Sequence, residues 1–108
     1  MSLEMEIEPQ ALSARLENGK PLLLVAVREP WEYDLCRLPG AVLIPLGELA
    51  ARLQELLAAD ELVLYCHHGR RSLDAAAWLR QQGADGARSL AGGIDRWARE
   101  IDPKTPRY

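Results

Sequence analysis

Apolar positions in this chain follow two rhythms that take turns along its length. Unbroken apolar runs of strand length occur at Leu22 to Val27, Ala41 to Ile44 and Leu62 to Tyr65, and Ala87 to Leu90 reads as a further short strand. Such runs mark strands covered on both faces, whereas a strand with one wet face would alternate. Between them lie segments of helical character. Pro9 to Leu16 reads as a first helix, with Pro9 in its first turn and Asn18-Gly19 ending it. Residues 31–34 leave room for a short helix only. Leu46, Leu49, Ala50, Leu53, Leu56 and Leu57 recur at helical spacing and predict one apolar face. That stripe is expected in the core, being too short for a coiled coil. The Ala- and Leu-rich stretch from Ser72 to Gln82 predicts another helix with Gly83 at its C-terminal end, and Ile94 to Arg99 a last one. Strands alternating with helices predict a parallel α/β sheet. Asp102 to Tyr108, with two prolines, is expected to be an extended tail.

Composition narrows this to one domain. A chain of 108 residues with 48% hydrophobic content supports one core but not two, so a single domain over 1–108 is expected. The net charge of −3 argues against general affinity for nucleic acid or membranes. No apolar run reaches the ~18 residues of a membrane span. Met1 to Glu6 is acidic and lacks a signal-peptide core. Two cysteines make no disulfide scaffold, and a reducing, cytoplasmic setting is the expectation.

The chemistry concentrates in Cys66-His67-His68-Gly69-Arg70-Arg71-Ser72, which joins the Leu62 to Tyr65 strand to the following helix. A cysteine in this place meets unpaired backbone N–H groups and the positive end of a helix dipole. Two arginines follow within five residues. Surroundings of this kind hold a thiolate, the nucleophilic form, and would cradle an anionic oxygen or sulfur of a substrate. A buried, inert cysteine is the simpler reading of an isolated Cys, but no apolar core accommodates His, His, Gly, Arg and Arg directly after it. A metal site is not expected. Cys66, His67 and His68 are consecutive, close poorly on one ion, and have no second ligand pair elsewhere in the sequence.

Cys66, Gly69, Arg71 and Ser72 fit a Cys-x-x-Gly-x-Arg-Ser pattern that resembles the active-site loop of single-domain rhodaneses, which are sulfurtransferases. Three further segments agree in order and spacing: Val27 to Tyr33, then Leu38 to Ala41 with Ile44-Pro45-Leu46, then Leu90 to Ile94 with Trp97. The resemblance implies a rhodanese-like fold, with a five-stranded, mostly parallel sheet and helices on both faces. It implies sulfur transfer through a persulfide on Cys66, from thiosulfate or a persulfide donor to cyanide or another thiophilic acceptor. Partners would be a small anionic donor, a thiophilic acceptor and a persulfide-carrying protein, with no cofactor, metal, nucleic acid or membrane. His67, His68, Gly69, Arg70, Arg71 and Ser72 would surround the substrate. Arg71 would shape the loop, Arg70 would contact a dianionic donor, and the two histidines could add positive charge below neutral pH. Arg28 is expected to brace the loop, hold an anion or make a surface or structural ion pair. Trp31 is expected to wall the pocket or pack half-buried, and Gly92-Gly93 to let backbone approach the loop closely. The family usually carries Asp where this chain has Ala26, which puts hydrogen bonding at that strand end in question.

Two other functions compete. Cysteine-type phosphatases also set Cys and Arg at a helix N-terminus, but with arginine six positions after the cysteine. Here Ser72 stands at six and Arg71 at five, a shorter loop with less room for tetrahedral phosphate. A non-catalytic interaction or regulatory module is the second, although such modules often lose the cysteine. Cys36 should lie near the amino ends of the strands, ~13 Å of strand rise from Cys66. That is beyond the ~7 Å a disulfide allows.

Overall fold

The computed structural model describes residues 5–19 and 21–106. Five strands, all parallel, form one sheet: β1 (Glu6–Ile7), β2 (Leu23–Ala26), β3 (Val42–Leu43), β4 (Leu62–Tyr65) and β5 (Arg88–Leu90). Their order across the sheet is β1-β5-β4-β2-β3. The helices are α1 (Pro9–Glu17), α2 (Pro30–Leu35), α3 (Leu53–Leu57), α4 (Arg70–Gln81) and α5 (Gly93–Glu100).

Strand alternation divides the buried residues into two cores. Val25, Val27, Leu62, Leu64 and Cys66 face one side, against Leu56 of α3 and Ala75, Ala76 and Leu79 of α4. Leu24, Ala26, Val63 and Tyr65 face the other, against Leu12 of α1 and Ile94 and Trp97 of α5. Burial on both faces is why these strands carry unbroken apolar runs. Among the described residues, no helix is long and apolar enough to cross a membrane.

β1 lacks a sequence signature. It is two residues long and exists because Ser89 N donates to Met5 O and Ala91 N to Ile7 O, at 2.8 and 2.9 Å. The segment expected as one helix over 46–57 is instead two 3₁₀ turns, Leu46–Glu48 and Ala50–Arg52, followed by the short α3. Gly47 in its first turn weakens an α-helix. The shift leaves Leu46 45% and Leu57 36% exposed, so only part of the leucine stripe is core. α4 starts two residues earlier than its Ala-rich stretch suggests, since both arginines are good helix formers. Gly83 stands just past its end with φ +110°. Of the segment expected to extend from Asp102, residues 102–106 are described. Thr105 N donates to Asp102 O at 3.0 Å in a turn, and Arg107 and Tyr108 lie outside the described residues.

The topology sets where a site can form. The connection leaving β4 leads to β5, and that leaving β2 leads to β3, in opposite directions across the sheet. The loops after these neighbouring strands therefore part and open a crevice over their carboxyl ends, where ligands bind in open parallel sheets.

Candidate active site

Cys66 follows directly on β4, and its side chain lies 1% exposed. Gly69, at φ +99°, turns the chain back so that its N–H donates to Cys66 Sγ at 3.1 Å. The same glycine is the N-cap of α4, and the first turn of that helix rises directly from the loop. The N–H groups of Arg70, Arg71 and Ser72 belong to that first turn, where helical N–H groups lack intrahelical partners.

Beneath the loop, Ser72 is fully buried. Its hydroxyl lies 3.5 Å from Cys66 Sγ, 3.3 Å from Gly69 O and 2.6 Å from the Ser89 hydroxyl of β5. The Ser72 side chain thus supports the sulfur and the turn from below, and its backbone N–H belongs to the first turn of α4. Ser89 was not singled out in the sequence. Its place in the short strand expected over Ala87 to Leu90 was the available signal, because a buried hydroxyl demands a partner.

A second support comes from α5. Ile94 N donates to Cys66 O at 2.9 Å and Asp95 N to His67 O at 3.0 Å. This fit needs a residue without a side chain at Gly93, where a Cβ would stand 2.4 Å from His67 O and 2.5 Å from Cys66 O. The close approach expected of Gly92-Gly93 is therefore present at Gly93.

The two arginines differ in their surroundings. Arg70 is exposed, with no ion pair among the described residues. Arg71 is pinned by Glu32 of α2 through two parallel bonds of 2.9 Å. The Arg71 guanidinium holds the Glu32 carboxyl down at about 2, against an ordinary 4.5, helped by the Glu29 N–H at 2.9 Å. Glu32 is buried and was missed in the sequence. Its spacing from Glu29, which makes a reciprocal capping box, was the clue.

This pair predicts a pH signature. The folded-state value lies below the ordinary one, so the pair's contribution is complete above about pH 4.5 and fades as pH falls towards 2. With Arg71 about a third exposed, screening leaves about 2 kcal/mol at neutral pH. Glu32→Gln keeps the shape and should lower stability by that amount at pH 7. In chemical denaturation against pH, its deficit relative to wild type should shrink below pH 4.5. A deficit that does not change with pH would contradict the ionic account.

Arg28 is buried away from solvent. It is 1% exposed and donates to Cys36 O at 2.5 Å, with Glu32 at 3.9 Å, contacts that match the structural ion pair among its expected roles. Cys36 lies in the α1/α5 core and Cys66 in the α3/α4 core, so the sheet itself separates the two free thiols. At Ala26, the backbone carbonyl accepts Ile44 N at 3.0 Å and the methyl is buried, leaving the strand end hydrogen-bonded. Trp31 is 62% exposed, which overturns half-buried packing.

His67 and His68 stack, with ring centroids 4.1 Å apart. Burial first and the His68 charge second hold the His67 pKa below its ordinary 6.5. His67 therefore gains charge only at lower pH than an ordinary histidine. Asp95 of α5 lies beside both rings. Along α4, Leu46, Leu49, Ala50, Ala75 and Trp78 line an apolar groove of ≈ 270 Å³ that does not include Cys66.

A profile of the rhodanese-like domain matches residues 8–100. The chain is 38% identical over 94 residues to a protein named Sulfurtransferase from Allochromatium vinosum, covering 87% of this chain and 88% of that one. It is 37% identical over 92 residues to YrkF of Bacillus subtilis, named as a candidate sulfur carrier protein, covering 85% of this chain but 50% of that one. Among solved structures, the human single-domain sulfurtransferase TSTD1 superposes with a TM-score of 0.80 at 29% identity, covering 91% of this chain and 98% of the human one. The cysteine loop, the parallel sheet that presents it and this match over most of the length agree: the chain belongs to the rhodanese-like domain family.

Proposed function

We propose that this protein is a sulfurtransferase that carries a sulfane sulfur as a persulfide on Cys66. The observation that carries the reading is the bond from Gly69 N to Cys66 Sγ at the start of α4, in a loop flanked by two arginines. A helix N-terminus and an inward-turned N–H stabilise a negative sulfur. In the first half-reaction the Cys66 thiolate attacks the outer sulfur of thiosulfate. The sulfur–sulfur bond breaks and sulfite leaves with its electron pair. In the second half-reaction cyanide, or another thiophile, attacks the outer sulfur of the persulfide, and the Cys66 thiolate departs. The N–H groups of residues 67–72 hold the anionic sulfur throughout, as an oxyanion hole holds oxygen. A protein-borne persulfide is a donor of the same chemistry, in keeping with the sulfur-carrier name of YrkF. The work is placed in the cytoplasm, where thiols stay reduced.

The roles divide between the arginines. Arg70, exposed and unpaired among the described residues, contacts the donor, and Arg71, fixed by Glu32, keeps the loop's shape and field. The apolar groove beside α4 suits no small dianion and is not the donor site.

Steady-state thiocyanate formation from thiosulfate and cyanide tests the reading. Arg70→Ala should raise KM for thiosulfate about tenfold with kcat nearly unchanged, since its charge binds donor and transition state alike. Arg71→Ala should lower kcat and the melting temperature as well. An Arg70→Ala enzyme with unchanged KM would contradict the donor contact. Ready hydrolysis of an aryl phosphate with no thiosulfate turnover would favour the phosphatase. Failure with every persulfide donor would favour an interaction module.

A further inference from the structure

Successive side chains of an extended segment point to opposite sides, but His67 and His68 do not. Their rings lie 24° from parallel with centroids 4.1 Å apart, so both stand on one side of the loop. The N-terminal turn of α5 comes up against them. The bond from Asp95 N to His67 O fixes that turn, and the Asp95 carboxylate belongs to it. One ligand atom from each of His67, His68 and Asp95 lies within 4.8 Å of the other two.

We propose that His67, His68 and Asp95 form a binding site for a divalent cation of the Zn²⁺ class at the rim of the Cys66 loop. Two imidazole nitrogens and one carboxylate oxygen are a donor set for borderline cations, not for Mg²⁺ or Ca²⁺, which take oxygen ligands. Three protein ligands leave a coordination position open to water or an added anion. Ligands about 2.0–2.1 Å from a tetrahedral Zn²⁺ stand roughly 3.4 Å apart, so atoms within 4.8 Å of one another must close by up to about 1.4 Å. His68 is exposed and can turn without disturbing either core. Asp95 Oδ2 meets Arg99 Nε at 3.3 Å, but that arginine is about half exposed and the pair is weak enough to yield to a cation.

The site needs α5 docked on the loop, because Asp95 is 27 residues beyond His68 in the sequence. It goes beyond sulfur transfer and does not rest on it. A cation held there stands one residue from Cys66, so its occupancy would bear on access to the sulfur.

Calorimetric titration of Zn²⁺ into the whole chain tests the proposal, using wild type, His68→Ala, Asp95→Asn and Cys66→Ala. Wild type and Cys66→Ala should each bind about one Zn²⁺, and each of the other two should bind at least about tenfold more weakly. With Co²⁺ as a spectroscopic probe, wild type should show visible ligand-field absorption and no sulfur-to-metal charge-transfer band. No binding by wild type at millimolar Zn²⁺ would overturn the site. Undiminished binding in His68→Ala or Asp95→Asn, or lost binding in Cys66→Ala, would do so equally.

Discussion

Gly93→Ala should cost the protein about 3–4 kcal/mol and lower its melting temperature by about 15 °C or more. Two effects add. A left-handed backbone, φ +62° here, costs an alanine about 1–2 kcal/mol. The new methyl would also stand 2.4 Å from His67 O, 2.5 Å from Cys66 O and 2.6 Å from His67 C, all backbone atoms that no rotamer change can move. Relief requires α5 to draw back, which breaks the bonds from Ile94 N and Asp95 N to the loop carbonyls, each worth about 1 kcal/mol. Those bonds hold the cysteine loop, so sulfur transfer should fall with stability. Gly40→Ala separates the two effects: φ is +76° there, but nothing lies within 4 Å of the added methyl. It should lose only the conformational part, about 1–2 kcal/mol. Thermal melts of the two variants decide the matter, and equal losses would mean that the approach of α5 to the loop matters little.

Much of this arrangement is legible along the chain because local and tertiary demands coincide. The runs Leu22 to Val27 and Leu62 to Tyr65 are apolar without interruption since both faces of β2 and β4 are buried. Cys66 stood out because basic residues follow a buried strand at once, a combination that packing alone does not produce. Other parts depend on partners distant in sequence. β1 is held by backbone bonds to the β5 segment, and two residues carry no periodicity. Glu32 looks like one more charge on a short helix until Arg71, 39 residues later, closes on it. Asp95 resembles an ordinary acidic residue in a first helical turn until α5 docks beside His67. The leucine stripe at 46–57 misled because spacing records only which residues could share a face. Gly47 and the 3₁₀ turns changed the rotation per residue and turned Leu46 outward.

Cysteine chemistry is where the account can fail outright, and Cys36 supplies the internal control. Both thiols are buried, but among the described residues only Cys66 has a backbone N–H directed at its sulfur, and the sheet lies between the two. The most direct measurement is the intact mass of wild type, Cys66→Ala and Cys36→Ala after incubation with thiosulfate and again after cyanide. Wild type and Cys36→Ala should each gain about 32 Da, one sulfur atom, and lose it to cyanide, because the nucleophile is the loop thiolate. Cys66→Ala should show neither step. A Cys66→Ala protein that still takes up sulfur, or a Cys36→Ala protein that no longer does, would contradict the assignment of Cys66 as the sulfur carrier.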